Sequence, residues 1–353
     1  MKTYQIHTLA GDGIGVDVTL CAMRVLEQAA ARHQFGIQFH QHPWGSEYFF
    51  EHGRMMPGTA LETLAEADAI LLGAVGHPDI PDHVTLHGML LPIRRTFDQY
   101  ANVRPATLFA GVESPLKGYP PNDIDMVVVR ENTEGEYAPV GGFVHHFHPD
   151  EVAVQSSVFT RHGCERVIRY AFELARRRNG KNRVTSITKS NAQAYGMVLW
   201  DRMFQKVAAE FADIETESLL VDAAAMNFVR RPHTFDVVVA SNLFGDILSD
   251  LSAIVTGSIG LAASANINPT RSKPSLFEPV HGSAPDIAGR GIANPLAAII
   301  SAGMLLDHLE ETAAANSIQQ AVRTVLGQSQ VRTPDLGGTN STTEVCEAVL
   351  AQL

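Results

Sequence analysis

The sequence predicts an α/β protein. Two observations carry the prediction: short apolar runs alternate with longer segments of helical pattern, and several runs end in a polar cluster. Residues 4–9 read as a strand, GDGIG as a turn and residues 16–32 as a helix. Residues 69–72 form a second buried strand that closes on Gly73-Ala74-Val75-Gly76. A third, residues 125–129, runs straight into Arg130-Glu131-Asn132, and residues 183–188 and 235–240 are further strands with polar ends. Ligands of open α/β sheets bind outside the carboxyl ends of strands, so a site is expected among the residues after Val129, Thr188 and Ala240. One segment breaks the alternation. Residues 135–161, GEYAPVGGFVHHFHPDEVAVQSSVFTR, carry two adjacent glycines and then an alternating stretch (Val152, Val154, Ser156, Val158), which predicts a β arm. Such an arm has an exposed edge unless another chain pairs with it, so dimerisation is expected.

The chain has 353 residues, enough for one large unit or two domains. Its net charge of −11 argues against a nucleic-acid partner. Cys21, Cys164 and Cys346 are scattered and odd in number, so no disulfide framework or CxxC pair is expected, which fits a reducing cytoplasm. The first residues lack an apolar signal region, and the longest nearly apolar stretch, residues 297–306, is too short to span a bilayer. A cytoplasmic protein without a membrane partner is the expectation.

The sharpest chemical pattern is SNLFGDILSD, which places Asp246 and Asp250 four residues apart after the apolar run Val237-Val238-Val239-Ala240. On a helix both carboxylates project from one face, where they repel unless a cation or donor lies between them. Paired oxygen ligands there suit Mg2+ or Mn2+, although an isolated DxxxD is more often a solvated helix face. Asp222, in LLVDAAAMNFV, could complete the oxygen set or simply cap a helix. Arg94, Arg104 and Arg130 are candidates for holding carboxylates through the guanidinium fork, with Arg130 at a strand end the sharpest. Arg94 and Arg95 adjoin on an expected helix, so one of them should face solvent. Tyr137, in ENTEGEY, and Lys189, in SITKSN, are candidate proton-transfer groups, the lysine with a pKa lowered by partial burial and cationic neighbours. LAGDGIGVDV follows a strand but has Val16 where the third glycine of G-x-G-x-x-G belongs, so a tight turn is expected and not a Rossmann fold. Residues 277–295, rich in Gly and Pro, allow a ligand to approach the backbone closely or form a structural loop. His145, His146 and His148 lack the spacing of a zinc site, and ARRRNGKNR reads as a charged helix end.

NVRP, VVVRENTEGEY, TKSNA, SNLFGDILSD and EPVHGSAPDIAGRGIANP, in this order, resemble the isocitrate/isopropylmalate dehydrogenase family of β-decarboxylating 2-hydroxy acid dehydrogenases over essentially the whole chain. The resemblance implies a two-domain α/β/α sandwich: residues 1–103 with 256–353 as one domain, and 104–255, with the arm, as the other. It assigns Arg94, Arg104 and Arg130 to substrate carboxylates, Asp222, Asp246 and Asp250 to the divalent metal, and Tyr137 and Lys189 to proton transfer. Lys189 and Asp222 would serve the partner's site, making the homodimer obligatory. Asn191, His281, Gly282, Ser283, Ala284, Asp286, Ile287 and Asn294 would hold the cofactor. Asp286-Ile287 stands where NADP-using relatives carry Lys-Tyr, which implies NAD, because a carboxylate repels a 2′-phosphate by ~1–3 kcal/mol. A monovalent cation such as K+ is also compatible with the family.

Substrate choice should lie in VTLHGMLLPIRR, at His87 and Leu90. Isopropylmalate enzymes usually carry glutamate at the His87 position, and tartrate or D-malate enzymes tryptophan; this chain matches neither. GAVGHPDIPDHVTLHG and RRTFDQYANVRP look most like the tartrate/D-malate group, which implies a small hydroxy diacid. 3-Isopropylmalate or another 3-substituted malate is the alternative, and a non-redox metal-dependent lyase the rival of a different class.

Overall fold

A computed structural model describes residues 2–353. Its strands are β1 (Thr3–Gly11), β2 (Gly36–Gln41), β3 (Ala69–Ala74), β4 (Ala101–Thr107), β5 (Asp125–Glu131), β6 (Gly141–Val144), β7 (Val152–Gln155), β8 (Arg183–Thr188), β9 (Glu215–Leu220), β10 (Val237–Ala240), β11 (Ala263–Ile267) and β12 (Ser275–Pro279). The helices are α1 (Gly15–His33), α2 (Ser46–His52), α3 (Ala60–Leu64), α4 (Asp82–Thr85), α5 (Leu91–Thr96), α6 (Arg161–Arg178), α7 (Gly196–Ala208), α8 (Val221–Arg230), α9 (Asn242–Val255), α10 (Leu296–His308), α11 (Thr312–Gln328) and α12 (Thr342–Leu350). A π turn, Leu86–Leu90, joins α4 to α5.

Ten strands form one sheet in the order β2-β1-β3-β12-β11-β4-β5-β10-β8-β9. The pairs among β2, β1, β3 and β12 are parallel, as are those among β5, β10, β8 and β9. Between the two blocks, β12–β11, β11–β4 and β4–β5 are antiparallel, so the blocks run in opposite directions. The boundary at 103/104 expected from sequence falls inside β4, and the sheet crosses it without interruption.

Alternating side chains explain why both faces are covered. Ile6, Leu71 and Phe277 enter one core with α1 and α10, whereas Leu9, Ile70, Leu72 and Leu276 enter a second with Trp44, Met55, Leu64 and Phe97. The GDGIG segment is the expected tight turn. Gly13 sits at φ +55°, and a Cβ there would lie 2.1 Å from the Ser283 carbonyl oxygen, so only glycine fits. Asp12 fixes this turn by accepting from the Ser46 amide (2.8 Å), the Ser46 hydroxyl (2.7 Å) and the Gly76 amide (2.8 Å).

The expected arm is an antiparallel hairpin, β6–β7, every residue of which is exposed. A bridge between Gly135 and Val158 closes its base. No helix among the described residues is long and apolar enough to cross a membrane.

Candidate active site

Carboxyl-end residues of both blocks line a cavity of about 190 Å³ over the antiparallel centre of the sheet. Leu72–Val75 come from the end of β3, Glu278 from β12, and Val280–Gly282 from the loop beyond it. The other wall holds Arg104 (β4), Arg130 (β5), Tyr137 and Asp246 (α9), while Thr85, Leu86, Leu90 and Arg94 reach in from the α4–α5 segment.

β5 runs two residues further than the sequence suggested, so Arg130 belongs to the strand and is buried. Its guanidinium donates to Asn242 Oδ1 from Nε (3.0 Å) and Nη2 (2.8 Å), and from Nη1 to Asp246. Burial, helped by the neighbouring Arg104 charge, pulls its pKa down to about 10, which still leaves it charged at neutral pH. Gly245 makes this contact possible: a Cβ there would lie 2.6 Å from the Cβ of Arg130.

Asp246 also accepts from Arg104 Nη1 (3.2 Å) and the Tyr137 hydroxyl (2.7 Å). Burial opposes its ionisation, but Arg130 and Arg104 outweigh burial and hold the carboxyl below its usual range. The donors relieving the Asp246–Asp250 repulsion are therefore guanidinium groups and a phenol, with Asp250 3.6 Å from Arg104. Burial, together with adjacent Asp246, pushes the Tyr137 phenol up, so it carries its proton at neutral pH. The first turn of α9 is capped by Glu136, which accepts from Ser241 Oγ (2.9 Å) and the Leu243 amide (3.2 Å).

Arg94 is buried and donates from Nη2 to Glu278 (3.0 Å), while its Nε has no partner. Neither of the adjoining arginines faces solvent, against the expectation that one would: Arg95 is half-buried and donates to the Tyr137 carbonyl at 2.7 Å, fixing the loop that carries the phenol.

Lys189 and Asp222 stand apart from this cavity, joined to each other at 2.7 Å. The partner of Lys189 is thus a carboxylate, not the cationic neighbour expected from sequence. That contact lowers the Asp222 pKa, and among the described residues no three metal-ligating side chains of one chain gather into a cluster. His87 is exposed and outside the cavity lining, which Leu86 and Leu90 reach on either side of it.

In the 281–294 loop, His281 Nδ1 meets the Gly282 carbonyl at 3.0 Å, and burial pulls its pKa down, so the ring is neutral. Nδ1 must carry the hydrogen, which leaves Nε2 as an acceptor; it is buried with no partner. Gly282 is exposed, with nothing within 4 Å of where a Cβ would stand. The orphaned nitrogen and the open glycine fit a ligand with a hydrogen-bond donor and a flat face. Asp286 is exposed at the rim, Ala284 holds φ +41°, and Ile287 packs on the core. Ser283 uses its carbonyl on the Ile14 amide (2.9 Å). Asn294 is an internal brace, donating to Asp335 (3.0 Å) and accepting from the Leu296 amide (3.0 Å); Asn191 is exposed in the turn after Lys189.

Sequence reasoning missed Glu278, Asn242 and Gly245, and also Asn102 and Ser249, which accept from Arg104 Nε and Nη1 at 2.7 Å each. Asn102 had one signal, because it lies two residues before Arg104 on a strand and so shares its face. Glu278 was hidden in a phrase read only for its glycines.

The sheet of two opposed parallel blocks and the family match make this protein an α/β dehydrogenase, and its cavity offers guanidinium forks to an anionic ligand. The chain belongs to the isocitrate/isopropylmalate dehydrogenase family, which it matches over residues 5–349. It is 50% identical over 356 residues to the D-malate dehydrogenase [decarboxylating] of Escherichia coli, covering 99% of this chain and 98% of the relative. It is 47% identical over 355 residues to the tartrate dehydrogenase/decarboxylase of Pseudomonas putida, covering 98% and 97%. The crystal structure of isocitrate dehydrogenase from Methylococcus capsulatus superposes with a TM-score of 0.89 at 36% identity, covering 99% of each chain.

Proposed function

We propose that this protein oxidises a small 2-hydroxy diacid, D-malate or tartrate, and releases CO2 to leave a keto product, using NAD and Mg2+ or Mn2+. The observation that carries the reading is the convergence of Arg94, Arg104, Arg130, Tyr137 and Asp246 on one small cavity. Charge supports it. The three arginines face Asp246, Asp250 and Glu278, so the fixed charges around the cavity already balance. A dianionic acid entering with a divalent cation preserves that balance, whereas either alone does not.

When bound, the cation would polarise the C2 oxygen and NAD would accept the hydride. Asp246 and Asp250 would supply two carboxylates to the cation, and Asp222 of the partner subunit the third. Substrate carboxylates would take over donors of Arg104 and Arg130 that Asp246 now accepts from, leaving that carboxylate available to a cation. Lys189 of the partner subunit takes the C2 hydroxyl proton, directly or through water, as the hydride leaves C2. Arg94, Arg104 and Arg130 hold the carboxylates in a geometry from which the C–C bond to CO2 can break. Tyr137, kept protonated, returns a proton to the resulting enol carbon.

The homodimer that this requires is supported by exposed apolar residues on two neighbouring helices, Met226 and Val229 of α8 and Ile247 and Ile254 of α9, and by the unpaired hairpin. Residues 1–103 with 256–353, and residues 104–255, then form the two walls of the cleft. At the loop rim, Asp286 favours ribose hydroxyls over a 2′-phosphate.

The test is a panel of D-malate, tartrate isomers, 3-isopropylmalate and isocitrate with Mn2+ and either NAD or NADP. Reduction of NAD with D-malate or tartrate is expected. No reduction with any of the acids would sink the reading, and comparable turnover with NADP would overturn the cofactor choice.

A further inference from the structure

Behind the cavity, buried polar side chains connect Arg104 to Arg94 across three strands. Arg104 Nε donates to Asn102 Oδ1 (2.7 Å), and Asn102 Nδ2 donates to Asn266 Oδ1 (2.8 Å). Asn266 Nδ2 donates to Glu278 Oε1 (2.8 Å), which also accepts from Arg94 Nη2 (3.0 Å). Asn132 Nδ2 adds a second donor to Asn266 Oδ1 at 2.9 Å. Asn102 and Asn266 are 0% exposed and Glu278 only 7%, so water does not compete for these bonds. Strand register builds the row, since Asn102 pairs with Arg130 on one side and with Asn266 on the other.

The direction of this chain of bonds is fixed at both ends. An ionised carboxylate only accepts and a guanidinium only donates, so each asparagine has one amide orientation that satisfies both neighbours. Asn102 and Asn266 use both ends of their amides, which holds the row to one geometry, and the open atoms lie at its margins, Arg94 Nε and Asn132 Oδ1. β4 and β12 lie on opposite sides of β11, so the connection sets where one arginine fork stands relative to the other.

We infer that Asn102, Asn266 and Glu278 are positioning residues that fix the separation and orientation of Arg94 and Arg104, and so set the length of diacid the cavity accepts. The inference rests on the reading of those arginines as carboxylate holders. None of the three side chains needs to touch substrate; they act through the guanidinium groups.

The decisive variant is Asn266→Asp in the full-length protein, assayed with D-malate, NAD and Mn2+. It puts an acceptor against the acceptor Glu278 and leaves the shape unchanged. KM for D-malate should rise roughly 10- to 100-fold while KM for NAD stays within about two-fold. The rise should shrink as pH falls, because a proton shared by the two carboxyls restores a donor. An unchanged D-malate KM, or equal rises in both KM values, would overturn the inference. Should N266D not fold, Asn102→Ser cuts the same connection at the Arg104 end and is read by the same pair of KM values. Arg94→Met separates the two levels. If it leaves the D-malate KM unchanged, the site reading itself fails; if it raises that KM and N266D does not, only the positioning role fails.

Discussion

The two faces of β4, β5 and β11 carry cavities of opposite character. On one face, Asn102, Arg104, Arg130 and Asn266 stand behind the 190 Å³ cavity lined by three arginines. On the other, the alternate residues Val103, Pro105, Val127, Ala265 and Ile267 floor a groove of about 610 Å³ between α6 and α10–α11. At the rim of the larger groove Arg178 reaches Asp125 and Asp236 at 3.1 Å each and Arg271 pairs with Glu310, while Glu173, Arg177 and Asp307 have no ion pair among the described residues. The smaller cavity keeps an unpartnered Arg94 Nε and His281 Nε2. Buried donors and acceptors left open, which the groove lacks, mark where chemistry belongs better than volume does, and a one-residue change of register would exchange the two faces.

Variants on the two faces should therefore separate cleanly. The largest effect is expected from Arg130→Met, which leaves Asp246 and Asn242 without their buried donor; kcat/KM for D-malate should fall roughly 10²- to 10³-fold, and a loss under ten-fold would break the comparison. Tyr137→Phe should lower kcat about 100-fold and KM little. Stopped-flow NADH formation should suffer less than CO2 release, and an equal loss in both steps would reduce the phenol to a positioning group.

The apolar face should answer through stability. His308, packed on Phe277 between Arg271 and Glu310, has its pKa pulled down to about 4, first by burial and then by Arg271. The unfolded imidazole titrates near 6.5, so the unfolded chain binds more protons from about pH 6.5 to about 4, and stability falls as pH drops through that window. His308→Asn should narrow the Tm difference between pH 7.5 and pH 4.5 by on the order of 1–3 °C, with activity at pH 8 unchanged. His42, held to about 4 by burial and by His7 and His40, contributes with the same sign, so the effect should narrow and not vanish. Smallest of all, Ile300→Val should cost about 0.5–1.5 kcal/mol in denaturant unfolding and leave both KM values alone.

What was legible in the sequence is what depends on near neighbours. β8 has the boundaries its pattern suggested, α1 differs by one residue at each end, and the strand-end position of Arg130 and the i,i+4 face of Asp246 and Asp250 follow from local periodicity. Contacts between distant segments were not legible. Asn102, Asn266 and Glu278 are ordinary polar residues until three strands place them side by side. His87 shows a subtler limit: the π turn Leu86–Leu90 adds a residue to one helical turn, so a 3.6-residue count does not give the facing of its side chains. Lys189 and Asp222 pair with each other within one chain, and no reading of a single chain shows where a second would carry them.

The antiparallel seam also orders events during synthesis. β3 needs β12 and β4 needs β11, partners that follow them by about 160–200 residues. At ribosomal rates of ~5–20 residues per second, both strands wait roughly 10–40 s with one edge unpaired. The nascent chain spends that interval with open strand edges, a window for mispairing that closes only when the last strands of the seam are made.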